Sequence, residues 1–308
     1  MEASANTSAA PVVRPSAASA APIGRPPATG LTRTPTAGSA PAWRPALKWR
    51  ALSLLMRTLG QASEGIRRGY RHGFDSGPML DYVYANRARG RLGYGRLVDR
   101  LYLDSIGWRA IRARKALLQE VLRAEIAHNR AAGQPTVLFD VAAGPGRYLH
   151  DLAAEPSAAA DLTIICRDLD MAGLAQGRAR ARARGLTRIR YERGDACDPA
   201  SLARVTPRPN VVVASGLYEL LDAALIQRSM GGVYALLPLG GRFVFTTQVT
   251  HPQLELIANV LPNRFGEPWV MECRALAEVE GYARAAGFRH LASRLEPHGL
   301  FAVTVGEK

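Results

Sequence analysis

The chain has 308 residues, 47% of them hydrophobic, and a formal net charge of +14. It is long enough to bury the core of one large domain or two small ones, and Arg, Gly, Pro and Asp break every apolar run well short of the roughly 18 to 20 residues that a membrane-spanning helix needs. The charge favours anionic partners without choosing among nucleic acid, acidic lipid and acidic metabolite, and Cys166, Cys197 and Cys273 show neither zinc-ligand spacing nor a paired framework, which predicts thiols in a reducing compartment.

Residues 1–45 are mostly Ala, Pro, Ser, Thr and Gly, with Arg14, Arg25, Arg33 and Arg44 scattered among them. So little apolar surface cannot offset the entropy of ordering, which predicts a disordered tail. From Ala46 to Arg71, Leu47, Leu52, Leu54, Leu55, Met56, Leu59 and Ile66 interleave with Lys48, Arg50, Arg57, Arg67 and Arg68. This predicts a basic amphipathic helix that either caps the domain or docks on an anionic membrane or acidic partner. A second helical stretch is expected over Met79 to Arg130, broken near Gly90, Gly93 and Gly95. Its Tyr82, Tyr84, Tyr94, Tyr102 and Trp108 belong mostly to the core, with one or two left for a substrate pocket. Residues 46–130 would then cover the substrate side of a domain filling 131–308.

After Gln134, β-rich runs at Thr136 to Val141, Leu162 to Cys166, Arg188 to Glu192, Asn210 to Ala214 and Arg242 to Thr247 alternate with helix-like stretches. Strands separated by helices imply parallel βαβ units and a doubly wound α/β sheet. The helices expected are Tyr148 to Ala154, Met171 to Arg184, Ser201 to Val205, Ala223 to Leu237, Gln253 to Leu261 and Leu276 to Ala286. Phe288 to Leu295 and Leu300 to Val305 are joined by so short a link that they must pair antiparallel.

The first strand runs into Asp140-Val141-Ala142-Ala143-Gly144-Pro145-Gly146-Arg147-Tyr148. Gly144 and Gly146 allow a sharp turn and close ligand approach, and the following helix N-terminus suits a carboxylate or phosphate. Leu149 stands where a dinucleotide site would want its third glycine, and Asp140 would sit awkwardly beside a pyrophosphate but suits a cationic amino group. Asp168, ending the second strand, can accept from both ribose hydroxyls, while Asp170 is better placed to cap the next helix. Asp195 in Gly194-Asp195-Ala196 can accept from an exocyclic amine such as that of adenine.

This order of residues resembles the class I S-adenosylmethionine (SAM) methyltransferases from about residue 135 to the C-terminus. Ala143 to Tyr148, Ser215 to Leu220 and His251 to Glu255 look like a bacterial methyltransferase group, some members of which are fused behind an α/β-hydrolase domain. The resemblance implies a Rossmann-like, seven-stranded doubly wound sheet with a C-terminal antiparallel hairpin, here with a helical N-terminal extension. It implies SAM as cofactor, with Asp140 and the glycine loop of Ala142, Gly144 and Gly146 at the methionine part, Asp168 at the ribose and Asp195 at the adenine, and with Ala196 and Ser215 also among the cofactor-binding residues. Ala142 departs from the family's usual glycine and tightens the loop.

Methyl transfer from a sulfonium is an in-line displacement, so alignment and exclusion of water are the protein's main contributions. A hydroxyl acceptor also needs a base near the strand carboxyl ends. Ser215 to Glu219 and Thr250 to Gln253 concentrate polar groups there; His251 is expected as base, with Tyr218 and Glu219 lining or orienting the acceptor. No two histidines have metal-ligand spacing, so no metal is expected. The function read from the sequence is SAM-dependent methylation of a small-molecule or lipid acceptor in the cytoplasm, with peripheral membrane contact suggested by the basic helix. A nucleic-acid methyltransferase is the rival, although no Asn-Pro-Pro-Tyr-like signature for a flipped base stands at Ser215 to Glu219; a non-catalytic SAM-binding protein is the other alternative.

Overall fold

A computed structural model describes residues 43–155 and 161–308. The tail expected over 1–45 lies, up to residue 42, outside the described residues. Five parallel strands, β1 (Thr136–Asp140), β2 (Leu162–Asp168), β3 (Ile189–Arg193), β4 (Val211–Ala214) and β5 (Arg242–Gln248), fall on the apolar runs marked by the sequence. Two more, β6 (Arg289–Leu295) and β7 (Phe301–Glu307), form the expected hairpin, with β7 antiparallel to β5. The sheet order is β3-β2-β1-β4-β5-β7-β6. Strand order reverses between β1 and β4, which makes their carboxyl ends the switch point where α/β sheets bind ligands.

Both faces are covered, so β4 is buried at every residue. One face packs on α5 (Ile106–Ala131), α6 (Arg147–Ala153) and α7 (Met171–Ala183), through Leu118, Leu122, Leu149 and Leu174. The other packs on α8 (Pro199–Ala203), α9 (Ala223–Leu236) and α11 (Leu276–Ala286), through Leu202, Met230 and Val279. Helix starts follow local chemistry: Asp170, Asp198 and Asp222 each accept a first-turn N–H, from Ala172, Ala200 and Leu225 respectively.

The N-terminal region differs from expectation in its breaks. The single helix expected over 46–71 is split into α1 (Trp43–Arg57), a 3₁₀ turn (Leu59–Ala62) and α2 (Glu64–His72). Thr58 Oγ1 turns back onto Leu54 O at 2.7 Å, and Ser63 caps α2 through Ile66 N at 3.1 Å. The stretch over 79–130 becomes α3 (Gly77–Ala85), α4 (Tyr94–Leu103) and α5, with a second break at Asp104–Ser105. A third core joins these helices to α10 (Leu254–Val260), so α5 serves the helical core with its first turns and the sheet with its last.

Asp99 fastens this region. It is 0% exposed and accepts from Ser63 Oγ at 2.6 Å, Gly65 N at 2.7 Å, Arg89 N at 2.7 Å and the Tyr82 hydroxyl. Truncation would strand three buried donors and a partly buried one, so Asp99→Ala is expected to cost about 3 kcal/mol or more. The measurement is a lowered urea midpoint at unchanged slope; a midpoint equal to wild type would contradict it.

Candidate functional site

The glycine loop is held from three sides. Asp168 accepts from Gly144 N through Oδ2 and from Asp170 N through Oδ1, both at 2.8 Å. Asp140, 1% exposed, accepts from Ala142 N at 3.0 Å and from the Tyr148 hydroxyl. Gly144 and Gly146 have φ of 53° and 67°, the left-handed region that glycine enters without strain. A Cβ on Gly177 of α7 would stand 2.6 Å from Pro145 O, so glycine there lets α7 close against the loop. Asp195, beyond β3, accepts from Cys197 N at 2.8 Å through Oδ1, leaving Oδ2 without a hydrogen-bond partner among the described residues.

A cavity of ≈ 200 Å³ lies beside this edge, between the β4 and β5 loops and the N-terminal helices. Its walls are largely apolar, including Met56, Ile111, Leu220, Leu256, Met271 and Phe301, with Trp108 and Trp269 stacked at 6.1 Å and 24°. Polar groups enter from Arg114, Glu219, Gln248 and His251. Arg114 Nη1 meets Glu219 Oε1 at 2.9 Å, with side chains only 4% and 8% exposed. Burial by itself would lower the Arg114 pKa, but Tyr84 and Glu219 outweigh it and hold the guanidinium charged. Glu219 Oε2, Gln248 Nε2 and Trp269 Nε1 are buried without a hydrogen-bond partner among the described residues. Unpaired polar atoms in an apolar space are costly, and together they ask for a ligand that both donates and accepts.

Glu219 is held from behind. Its 3₁₀ turn, Tyr218–Leu220, is gripped by Arg274, whose Nη1 donates to Tyr218 O at 2.8 Å and Nη2 to Leu221 O at 2.7 Å. Gly216, at φ 72°, donates to Thr246 Oγ1 at 2.9 Å and comes close to the Arg114 guanidinium.

Residues 28–308 match the family described as "Putative methyltransferase". The chain belongs to this methyltransferase family. An uncharacterized protein of Escherichia coli (strain K12), YnbC, is 40% identical over 262 residues, which is 84% of this chain and 44% of that protein. The chain thus spans less than half the length of that curated relative. Among solved structures, a possible exported protein of Bordetella parapertussis aligns with a TM-score of 0.61 at 16% identity, over 88% of this chain and 99% of its own. Magnesium protoporphyrin IX methyltransferase of Synechocystis PCC 6803, with bound SAH, aligns with a TM-score of 0.53 at 10% identity, over 77% and 97%. At such identities the likeness is one of fold, the class I Rossmann-like methyltransferase fold. The cofactor that the sequence resemblance implies is SAM.

The strand-tip residues fit that cofactor. A Cβ on Gly144 would meet no atom within 4 Å, so this face of the loop is open to a ligand. The carboxylates of Asp168 and Asp195 each retain acceptor capacity beyond their backbone bonds. Ala142 and Ser215 are half-buried at the tips of β1 and β4, whereas Ala196 is buried in the core beneath α9.

Three expectations are corrected by geometry. Asp140 does not stand open to a cationic group: at 1% exposure it lies inside the protein with both oxygens engaged there, so it braces the loop, whereas Asp168 is only half-buried. Tyr218 does not line the cavity. It is 2% exposed in the core under α9, edge-on to Phe243 and Phe245 at 6.5 and 6.2 Å, with its hydroxyl 3.4 Å from Ser229 Oγ. His251 does line the cavity, but its Nδ1 accepts from Gln253 N at 3.1 Å and burial lowers its pKa. The neutral ring therefore carries its proton on Nε2 and is a donor, the wrong tautomer for a base there. Glu219 lines the cavity.

Arg114, Gln248 and Trp269 were missed. Arg114 had a signal, a charge at i+3 from Ile111 and four before Leu118 on the apolar face of α5; Gln248 and Trp269 reach the cavity only through tertiary packing.

Burial pushes the Asp140 pKa up to about 7, against the pull of the Tyr148 hydroxyl and the Ala142 N–H. A carboxyl raised in the folded state binds its proton more tightly folded than unfolded. It therefore favours folding most at acid pH, and that contribution disappears as pH rises through about 7. Relative to Asp140→Asn, wild type should lose about 2 kcal/mol of stability between about pH 5 and pH 8. Urea titrations at both ends check this, and a gap that stays constant across the range speaks against it.

Proposed function

We propose that this methyltransferase transfers the SAM methyl group to a hydroxyl on an apolar small molecule or lipid held in the Trp108–Trp269 cavity. The observation that carries this reading is the buried, unpartnered Glu219 Oε2 inside a largely apolar space at the switch point of the sheet. When bound, SAM supplies a methyl carbon made electrophilic by its sulfonium. Gly144 and Gly146 would hold its methionine part, Asp168 its ribose and Asp195 its adenine.

Glu219 Oε2 receives the acceptor's hydroxyl proton, while Arg114 fixes the other carboxylate oxygen and so orients the free one. Gln248 and Trp269 donate to the acceptor, and His251 adds a donor from Nε2. The stacked indoles and the aliphatic wall exclude water, which favours alignment of the oxygen with the methyl carbon.

Incubation of the protein with methyl-labelled SAM and a cell extract, followed by separation into lipid, small-metabolite and nucleic-acid fractions, tests the reading. Label should enter the organic-soluble lipid or small-molecule fraction and depend on Glu219. Incorporation into nucleic acid would replace it with the rival activity.

A further inference from the structure

We propose that the outward faces of α1 and α4 form a docking surface for an anionic lipid bilayer. A helix on the flank of a domain needs one apolar stripe to bury. α1 has two. Trp49, Leu52 and Met56 turn into the helical core, while Leu47, Leu54 and Leu55, at i, i+7 and i+8, are 58%, 64% and 50% exposed. α4 repeats the pattern: Tyr94, Leu97 and Leu101, at i, i+3 and i+7, are 44%, 64% and 66% exposed. Both helices pack on the same 3₁₀ turn, where Leu59 is 60% exposed. A lone surface leucine needs no explanation, but outward leucines at helical spacing on two helices around one turn make an interaction surface.

Charge selects the occupant. Residues 43–101 hold twelve Lys and Arg against four Asp and Glu. All four acids are spoken for within the protein: Glu64 by Arg67 and Arg68, Asp75 by Arg264, Asp81 by Arg147 and Arg180, and Asp99 by its four hydrogen-bond donors. Lys48, Arg50, Arg91 and Arg96 are exposed and have no ion pair among the described residues. Leucines among uncompensated cations suit acyl chains beneath anionic headgroups. Met56 of α1 also lines the cavity, so the same helix faces both the proposed bilayer and the acceptor site. The docking surface goes beyond the proposed reaction and stands or falls separately from it.

Sedimentation of the full chain with vesicles of phosphatidylcholine, alone or mixed with phosphatidylglycerol, tests the proposal. Partition onto the anionic vesicles should be at least about tenfold stronger and should weaken as salt screens the surface. Arg50→Glu combined with Arg96→Glu, and separately Leu54→Ser, Leu55→Ser, Leu97→Ser and Leu101→Ser together, should each reduce it about tenfold or more. SAM titration of both variants should match wild type, which shows an intact fold. Equal partition onto both vesicle types, or none, would overturn the proposal. So would a wild-type dimer that the leucine variant splits, which would assign the face to a second copy of the chain.

Discussion

Asp168→Ala is expected to weaken SAM binding by about 100-fold or more, the loss of two charge-assisted hydrogen bonds at roughly 1.5 to 3 kcal/mol each. The carboxylate works on both sides. Its inward lone pairs hold Gly144 N and Asp170 N at 2.8 Å, and its remaining ones are left for the ribose. Alanine removes both functions, so Asp168→Asn separates them: Oδ1 of the amide can keep one backbone donor while the amide nitrogen repels the other. The asparagine variant should therefore lie between wild type and alanine in isothermal titrations with SAM and S-adenosylhomocysteine. Losses of similar size for the two ligands are expected, because the ribose is common to both. A wild-type affinity in Asp168→Ala would remove the assignment of this strand tip to the cofactor.

How much of this was legible beforehand depended on whether the signal was local. The parallel strands were plain because doubly buried strands are written as unbroken apolar runs, such as Val211 to Ala214, with glycines and acids at their ends. The expected cofactor edge rests on equally local signals: Asp168 ends a strand, and Gly144 and Asp195 stand a few residues beyond one. The split of α1 from α2 was hidden because the apolar pattern continues through Leu59 to Ile66, while the break rests on two hydroxyl bonds, at Thr58 and Ser63. The acceptor side was hardest. Tyr218, Glu219 and His251 lie on loops of similar composition, and which of them faces the cavity is decided by distant partners. Arg114, 105 positions before Glu219 in the chain, selects the carboxylate; Phe243 and Phe245 take Tyr218 into the core; Gln253 N sets the His251 tautomer.

Those partners set the order of effects expected on turnover. Glu219→Gln preserves the shape of the turn gripped by Arg274 and can still accept from Arg114, but it cannot take a proton. The rate of label transfer from SAM should fall about 100-fold or more, the usual worth of a positioned general base. SAM affinity should stay within about twofold, since no part of the cofactor site changes. Arg114→Gln should be the more damaging to stability, because it leaves a buried carboxylate without its cation, a loss of roughly 3 to 5 kcal/mol. His251→Gln, which removes a donor and not a base, should cost only about tenfold. Tyr218→Phe should leave the rate nearly unchanged, because the hydroxyl it deletes points at Ser229 in the core. A Glu219→Gln rate close to wild type, or a His251→Gln rate as low as that of Glu219→Gln, would move the proton to another group and with it the proposed hydroxyl chemistry. The contrast is informative because Glu219 and His251 line one cavity, and of the two only Glu219 offers it an acceptor oxygen without a partner among the described residues.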